Sequence, residues 1–95
     1  MGATFVNGDL VMSRYKNNNR IWEVIDDQDD EIMKFYGENI MKIKLRAGNP
    51  WVNYRSSTYD SINPKTAFIG DNIYVNPRNW KLVVEREVVN SVAAI

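Results

Sequence analysis

The stretch Ile40 to Arg46 reads IMKIKLR, and its alternation decides the fold class. Met41, Ile43 and Leu45 fall on one side of an extended chain, while Lys42, Lys44 and Arg46 fall on the other. A period of two residues is what a half-buried strand requires, whereas a helix would mix the two sets. Working toward the N-terminus, Ile32 to Tyr36 (IMKFY) precedes the short turn Gly37, Glu38, Asn39, so these two segments are expected to form a hairpin. The acidic run Asp26 to Asp30 (DDQDD) separates them from Ile21 to Ile25 (IWEVI), and KNNNR joins that strand to Leu10 to Tyr15 (LVMSRY) as an earlier hairpin.

Toward the C-terminus the pattern dissolves between Ala47 and Lys65 into Gly, Asn, Pro, Ser and Thr, which reads as a long ordered loop. Phe68 to Val75 supplies two β-rich pieces around a Gly-Asp-Asn turn. Pro77 to Trp80 is expected as a single helical turn, because proline is tolerated at the first helical position. Leu82 to Glu87 is the last expected strand. The pattern shows no internal repeat, heptad or long amphipathic helix. Five or six short strands are too few for two full sheets, so a mainly β, partly open small barrel is expected, with a 3₁₀ turn before its last strand. One domain fits the 95 residues: a barrel over 5–87, a loop insertion at 47–72 and an apolar tail, VVNSVAAI, at 88–95.

Composition narrows the chemistry. Twelve basic and twelve acidic residues cancel, which argues against binding nucleic acid by bulk charge and leaves local patches to decide. With no Cys and no His, these side chains supply no disulfide, zinc finger, thiolate or imidazole nucleophile, or haem ligand. No G-x-S-x-G, S-x-x-K, P-loop or G-x-G-x-x-G motif occurs, and nothing aligns Ser56 or Ser57 with Lys65 as a dyad. A non-catalytic protein without cofactors is therefore expected. Eleven aromatic residues can build a core without disulfide or metal. Twelve asparagines suit a chain with many reversals. The stretch MGATFVNGDL lacks the basic and apolar regions of a signal peptide, and no run of about 18 apolar residues exists, so a cytoplasmic, membrane-free setting is expected.

Three features bear a family likeness: Phe5 followed by Gly8-Asp9-Leu10-Val11, Trp22-Glu23-Val24-Ile25 in the second strand, and the Pro77 to Trp80 turn leading into Leu82-Val83. In these the chain resembles the SH3-like small barrels that include KOW and Tudor-type modules. The resemblance implies a small barrel with a 3₁₀ turn before its final strand, and a binding role. The connection between Ala47 and Asn72 is longer than such barrels usually carry.

Two residue sets are candidates for binding. Trp51, Tyr54 and Tyr59 lie in a polar, Pro-bounded segment, where amphipathic aromatics often mark a surface for a protein partner. The competing reading makes them a lid over an open barrel. Lys42, Lys44 and Arg46 recur at about 6.8 Å along one strand face, close to single-strand phosphate spacing, and Lys34 joins them if the hairpin forms. Beside Tyr36, Trp51 or Tyr54 such a stripe would suit RNA or single-stranded DNA, while its competing reading is a solvated strand protected by lysines. Trp22 and Trp80 read as core. The run Asp26, Asp27, Asp29, Asp30, Glu31 lacks the spacing of a calcium loop and reads as a solvated loop. The apolar tail docks either on its own barrel or on a neighbour, giving self-association. A structural component of a viral (phage) assembly is a third class, by fold analogy alone.

Overall fold

A computed structural model describes residues 5–15, 19–53 and 61–83. Among them the chain forms strands β1 (Leu10–Ser13), β2 (Ile21–Ile25), β3 (Met41–Ala47), β4 (Trp51–Val52), β5 (Thr66–Ala67), β6 (Asn72–Val75) and β7 (Trp80–Leu82), with one helix, α1 (Glu31–Tyr36). Short 3₁₀ turns lie at Gly37–Asn39 and Pro77–Asn79. The fold is mainly β, with an antiparallel five-stranded sheet in the order β6-β3-β2-β1-β7 that does not close into a barrel. The 47–72 segment, expected as a loop, contributes the small β4-β5 pair and the turn leading into β6. The last strand, β7, spans Trp80–Leu82 and so starts two residues before the expected one; Val83 follows it as a bend, and 84–95, with the rest of the expected strand and the tail, lie outside the described residues.

The alternation read in IMKIKLR holds. Met41, Ile43 and Leu45 enter a core with Val11, Trp22, Val24, Ala67, Ile73 and Trp80. Trp22 is its centre, meeting Trp80 edge-to-face at 5.9 Å and Trp51 at 6.3 Å between ring centroids. Edge-to-face rings of this kind add to their buried area because ring edges are electropositive and ring faces electronegative.

One expected strand is instead a helix. Asp30 accepts hydrogen bonds on Oδ1 from the Ile32 and Met33 amides at 2.9 and 3.3 Å, Glu31 occupies the first turn, and Gly37 ends the helix at φ +63°. These are start and stop signals of a helix, and they override the β composition of IMKFY. The expected hairpin across Gly37 to Asn39 is therefore an α1-to-β3 connection.

A repeat emerges that the residue pattern alone concealed. The turn Val6-Asn7-Gly8-Asp9 leads into β1, and Phe68-Ile69-Gly70-Asp71 leads into β6. In each, the aspartate carboxylate accepts from the first residue's amide at 2.9 Å. In each, the aspartate amide donates back to that residue's carbonyl, at 3.0 and 2.8 Å. The glycine amide donates to the neighbouring strand, Gly8 to Val24 O and Gly70 to Leu45 O, both at 2.8 Å. The amides of Val24 and Leu45 return bonds to Asp9 O and Asp71 O at 2.8 and 3.0 Å. Strand register repeats too: Leu10 and Val11 face Glu23 and Trp22 as Asn72 and Ile73 face Lys44 and Ile43. The two turn-and-strand units therefore dock on β2 and β3 in the same way. Both glycines have positive φ, +93° and +99°, a region that side chains with a Cβ avoid.

Candidate interaction groove

Among the described residues, the end of the sheet where β2 leaves and β3 begins is open. Phe5, Val24, Met33, Met41 and Pro77 wall a groove of about 490 Å³ there, and Asp26 and Glu38 are the charged side chains in its lining. An apolar concavity of this volume lies within the range that holds a ligand or a few side chains. Among the described residues, the ionisable groups of its lining are acidic.

One wall is α1, whose residues include none that is buried, so helix packing alone does not anchor it. A polar clamp does. Asp30 Oδ2 accepts from Lys42 Nζ at 2.6 Å and from the Tyr74 hydroxyl at 2.5 Å, while Asp27 Oδ2 lies 3.3 Å from the same ammonium. Lys42 Nζ also lies 5.8 Å from the Tyr74 ring centre. The residue that caps α1 is thus tied to β3 and β6 at once. Burial alone would raise the Asp30 pKa, but Lys42, Tyr74 and the two capped amides outweigh it and hold the carboxyl at about 2. Burial would lower that of Lys42, yet the hydrogen bonds its ammonium donates to Asp30 and Asp27 leave it raised. Tyr74 is raised by burial and by its bond to Asp30. Behind the clamp, the Asn63 side-chain amide pairs with both the N–H and the C=O of Tyr74 at 2.8 Å, standing in for a neighbouring strand on the free edge of β6.

Lys42, Lys44 and Arg46 share one face of β3, but acidic side chains share it with them. Lys42 belongs to the clamp and is only 8% exposed, a correction to its expected place on the solvated face. Arg46 Nε is paired with Glu23 Oε1 at 2.8 Å, and Lys44 is half-buried between Glu23 and Asn72 in the sheet register. Lys34 sits in the last turn of α1, so it does not extend the stripe across a hairpin. Of the aromatic set, Trp51 packs half-buried against Trp22, as a lid would, while Tyr54 and Tyr59 lie outside the described residues. The acidic run is divided by the fold: Asp30 caps α1, Asp27 joins the clamp and Asp26 faces the groove. The groove itself was not foreseen, because its walls come from both ends of the chain. The Asp30, Glu31 and Gly37 spacing was the available signal for its helical side.

Among the described residues no group of His, Cys, Asp and Glu is arranged to hold a metal ion, and no helix is long and apolar enough to cross a membrane. Comparison with protein-family models, with curated proteins and with solved structures finds no match for this chain.

Proposed function

We propose that this chain is a non-catalytic interaction module that holds a protein partner in the groove between α1 and the β2-β3 end of the sheet. The observation that carries the reading is the groove itself: an apolar trough of about 490 Å³ whose ionisable lining is two carboxylates. Such a site favours an apolar side chain with a Lys or Arg beside it, the apolar group supplying affinity and the cation supplying register. The five-stranded sheet, the Gly8-Asp9 turn into β1 and the 3₁₀ turn before β7 support an SH3-like scaffold for this role.

A panel of short peptides, each with one large apolar residue flanked by Lys or by Glu, tests the proposal by isothermal titration. Lys-flanked members should bind, and Met33→Lys should weaken them about tenfold, equivalent to roughly 1.4 kcal/mol. Equal binding of Glu-flanked members, or full binding by Met33→Lys, would overturn it.

A further inference from the structure

The first of the two matching turns carries a reactive pair that the second lacks. Asn7 and Gly8 form the one Asn-Gly step in the sequence, where the second turn has Ile69 and Gly70. Asparagine before glycine is the peptide step most prone to cyclise, because glycine has no side chain to keep its amide nitrogen away from the preceding carboxamide. Both residues are exposed, so water and base reach them. The fold nevertheless engages both reacting groups. The Gly8 N–H donates to Val24 O, and the Asn7 side-chain oxygen accepts from the Asp26 N–H, each at 2.8 Å. Val6 and Asp9 close the turn around them: the Val6 amide donates to the Asp9 carboxylate at 2.9 Å and the Asp9 amide to the Val6 carbonyl at 3.0 Å. An attacking amide nitrogen must give up its proton and turn toward the carboxamide, and both moves cost the bond from Gly8 to Val24.

We propose that Asn7 is a deamidation site which the folded turn keeps unreacted and which opening of the 6–9 turn releases. In the reaction the Gly8 nitrogen loses its proton to solvent base and bonds to Asn7 Cγ. The Cγ–Nδ2 bond breaks, and that nitrogen leaves as ammonia, closing a cyclic imide. Water then opens the imide. Addition at Cγ leaves aspartate with the main chain unchanged, while addition at the main-chain carbonyl leaves isoaspartate, with an extra methylene in the main chain. Either product brings a carboxylate to the turn that already holds Asp9 and is bonded to Asp26. The isoaspartate product also lengthens the turn that closes from Val6 to Asp9 and fixes β1 against β2, so its hydrogen bonds do not re-form as before. A chain that opens here and reacts is therefore marked permanently. The second turn, with Ile69 in place of asparagine, opens without this consequence.

Site-resolved peptide mass mapping of the whole chain, incubated at mildly alkaline pH, tests the proposal. In native buffer Asn7 should convert at least about tenfold more slowly than in the chain unfolded by guanidinium, the ratio that about 1.4 kcal/mol of turn opening provides. Asp9→Ala removes the acceptor of the Val6 amide and should hasten native conversion severalfold, with circular dichroism confirming the fold; Asp9→Asn serves if it does not fold. Asp71→Ala removes the equivalent acceptor in the second turn and leaves the Asn7 turn untouched, so its native rate should match the parent; Gly70→Ala serves if it does not fold. Each rate is taken relative to the same chain in guanidinium, which cancels any effect of charge on the intrinsic reaction. A native rate equal to the unfolded one, no conversion in the unfolded chain, or an Asp9 variant no faster than the parent would overturn the proposal. Equal acceleration by the two variants would overturn it as well, because it would assign the reaction to global unfolding rather than to this turn.

Discussion

Asp30 accepts four hydrogen bonds, two from the start of α1 and one each from Lys42 and Tyr74. Its side chain is 9% exposed and that of Lys42 is 10%, so removing either partner leaves a charge that is poorly hydrated. Lys42→Met is expected to cost about 3 kcal/mol in urea unfolding, whereas Asp30→Asn combined with Lys42→Met should cost less than the sum of the single changes. Titration adds a sign to this. The Asp30 carboxyl, held at about 2 against an ordinary 3.8, contributes stability that is fully present above the ordinary value and is lost as pH falls toward 2. Lys42 and Tyr74 are raised, so their contributions hold below about 10 and fade as pH climbs beyond it. Urea midpoints measured from neutral pH down to the acid limb should therefore fall more steeply for the parent chain than for Asp30→Asn. Parallel acid limbs would show that the clamp does not stabilise the fold.

At the scale of elements, the two turns into β1 and β6 do the work that long loops would otherwise do, by pinning those strands to β2 and β3. Gly70→Ala places a Cβ at φ +99°, with open space around it, so its cost is backbone strain of about 1 to 2 kcal/mol, without a clash. Urea denaturation reads this directly, and an unchanged midpoint would mean that the turn relaxes freely. These elements also show what sequence reading reaches. IMKIKLR, IWEVI and the Pro77 turn were legible because their side chains alternate or their backbone is restricted locally. The strand-like reading of IMKFY failed because composition outweighed the Asp30 cap and the Gly37 stop in that reading. The repeat was hidden since Val6 and Phe68, or Asn7 and Ile69, share no residue type; only the following Gly-Asp is common to both. Lys42 looked solvated because alternation assigns a face but does not reveal that Asp27, Asp30 and Tyr74 cover that face.

Across the whole molecule, a core built around three tryptophans closes one face of the sheet, and the open end beside α1 is left apolar. Only the assembled fold places Phe5, Met33, Met41 and Pro77 around one space, so a site formed by residues this distant in sequence carried no local signature. The central claim is that the groove is a binding surface. The most direct test is ¹H–¹³C methyl shift mapping of the parent chain during addition of a Lys-flanked apolar peptide, with Met33→Lys as control. The account predicts saturable shifts at Met33, Ile40 and Met41 that disappear in the control; shifts confined to other residues, or none at saturating peptide, would contradict it.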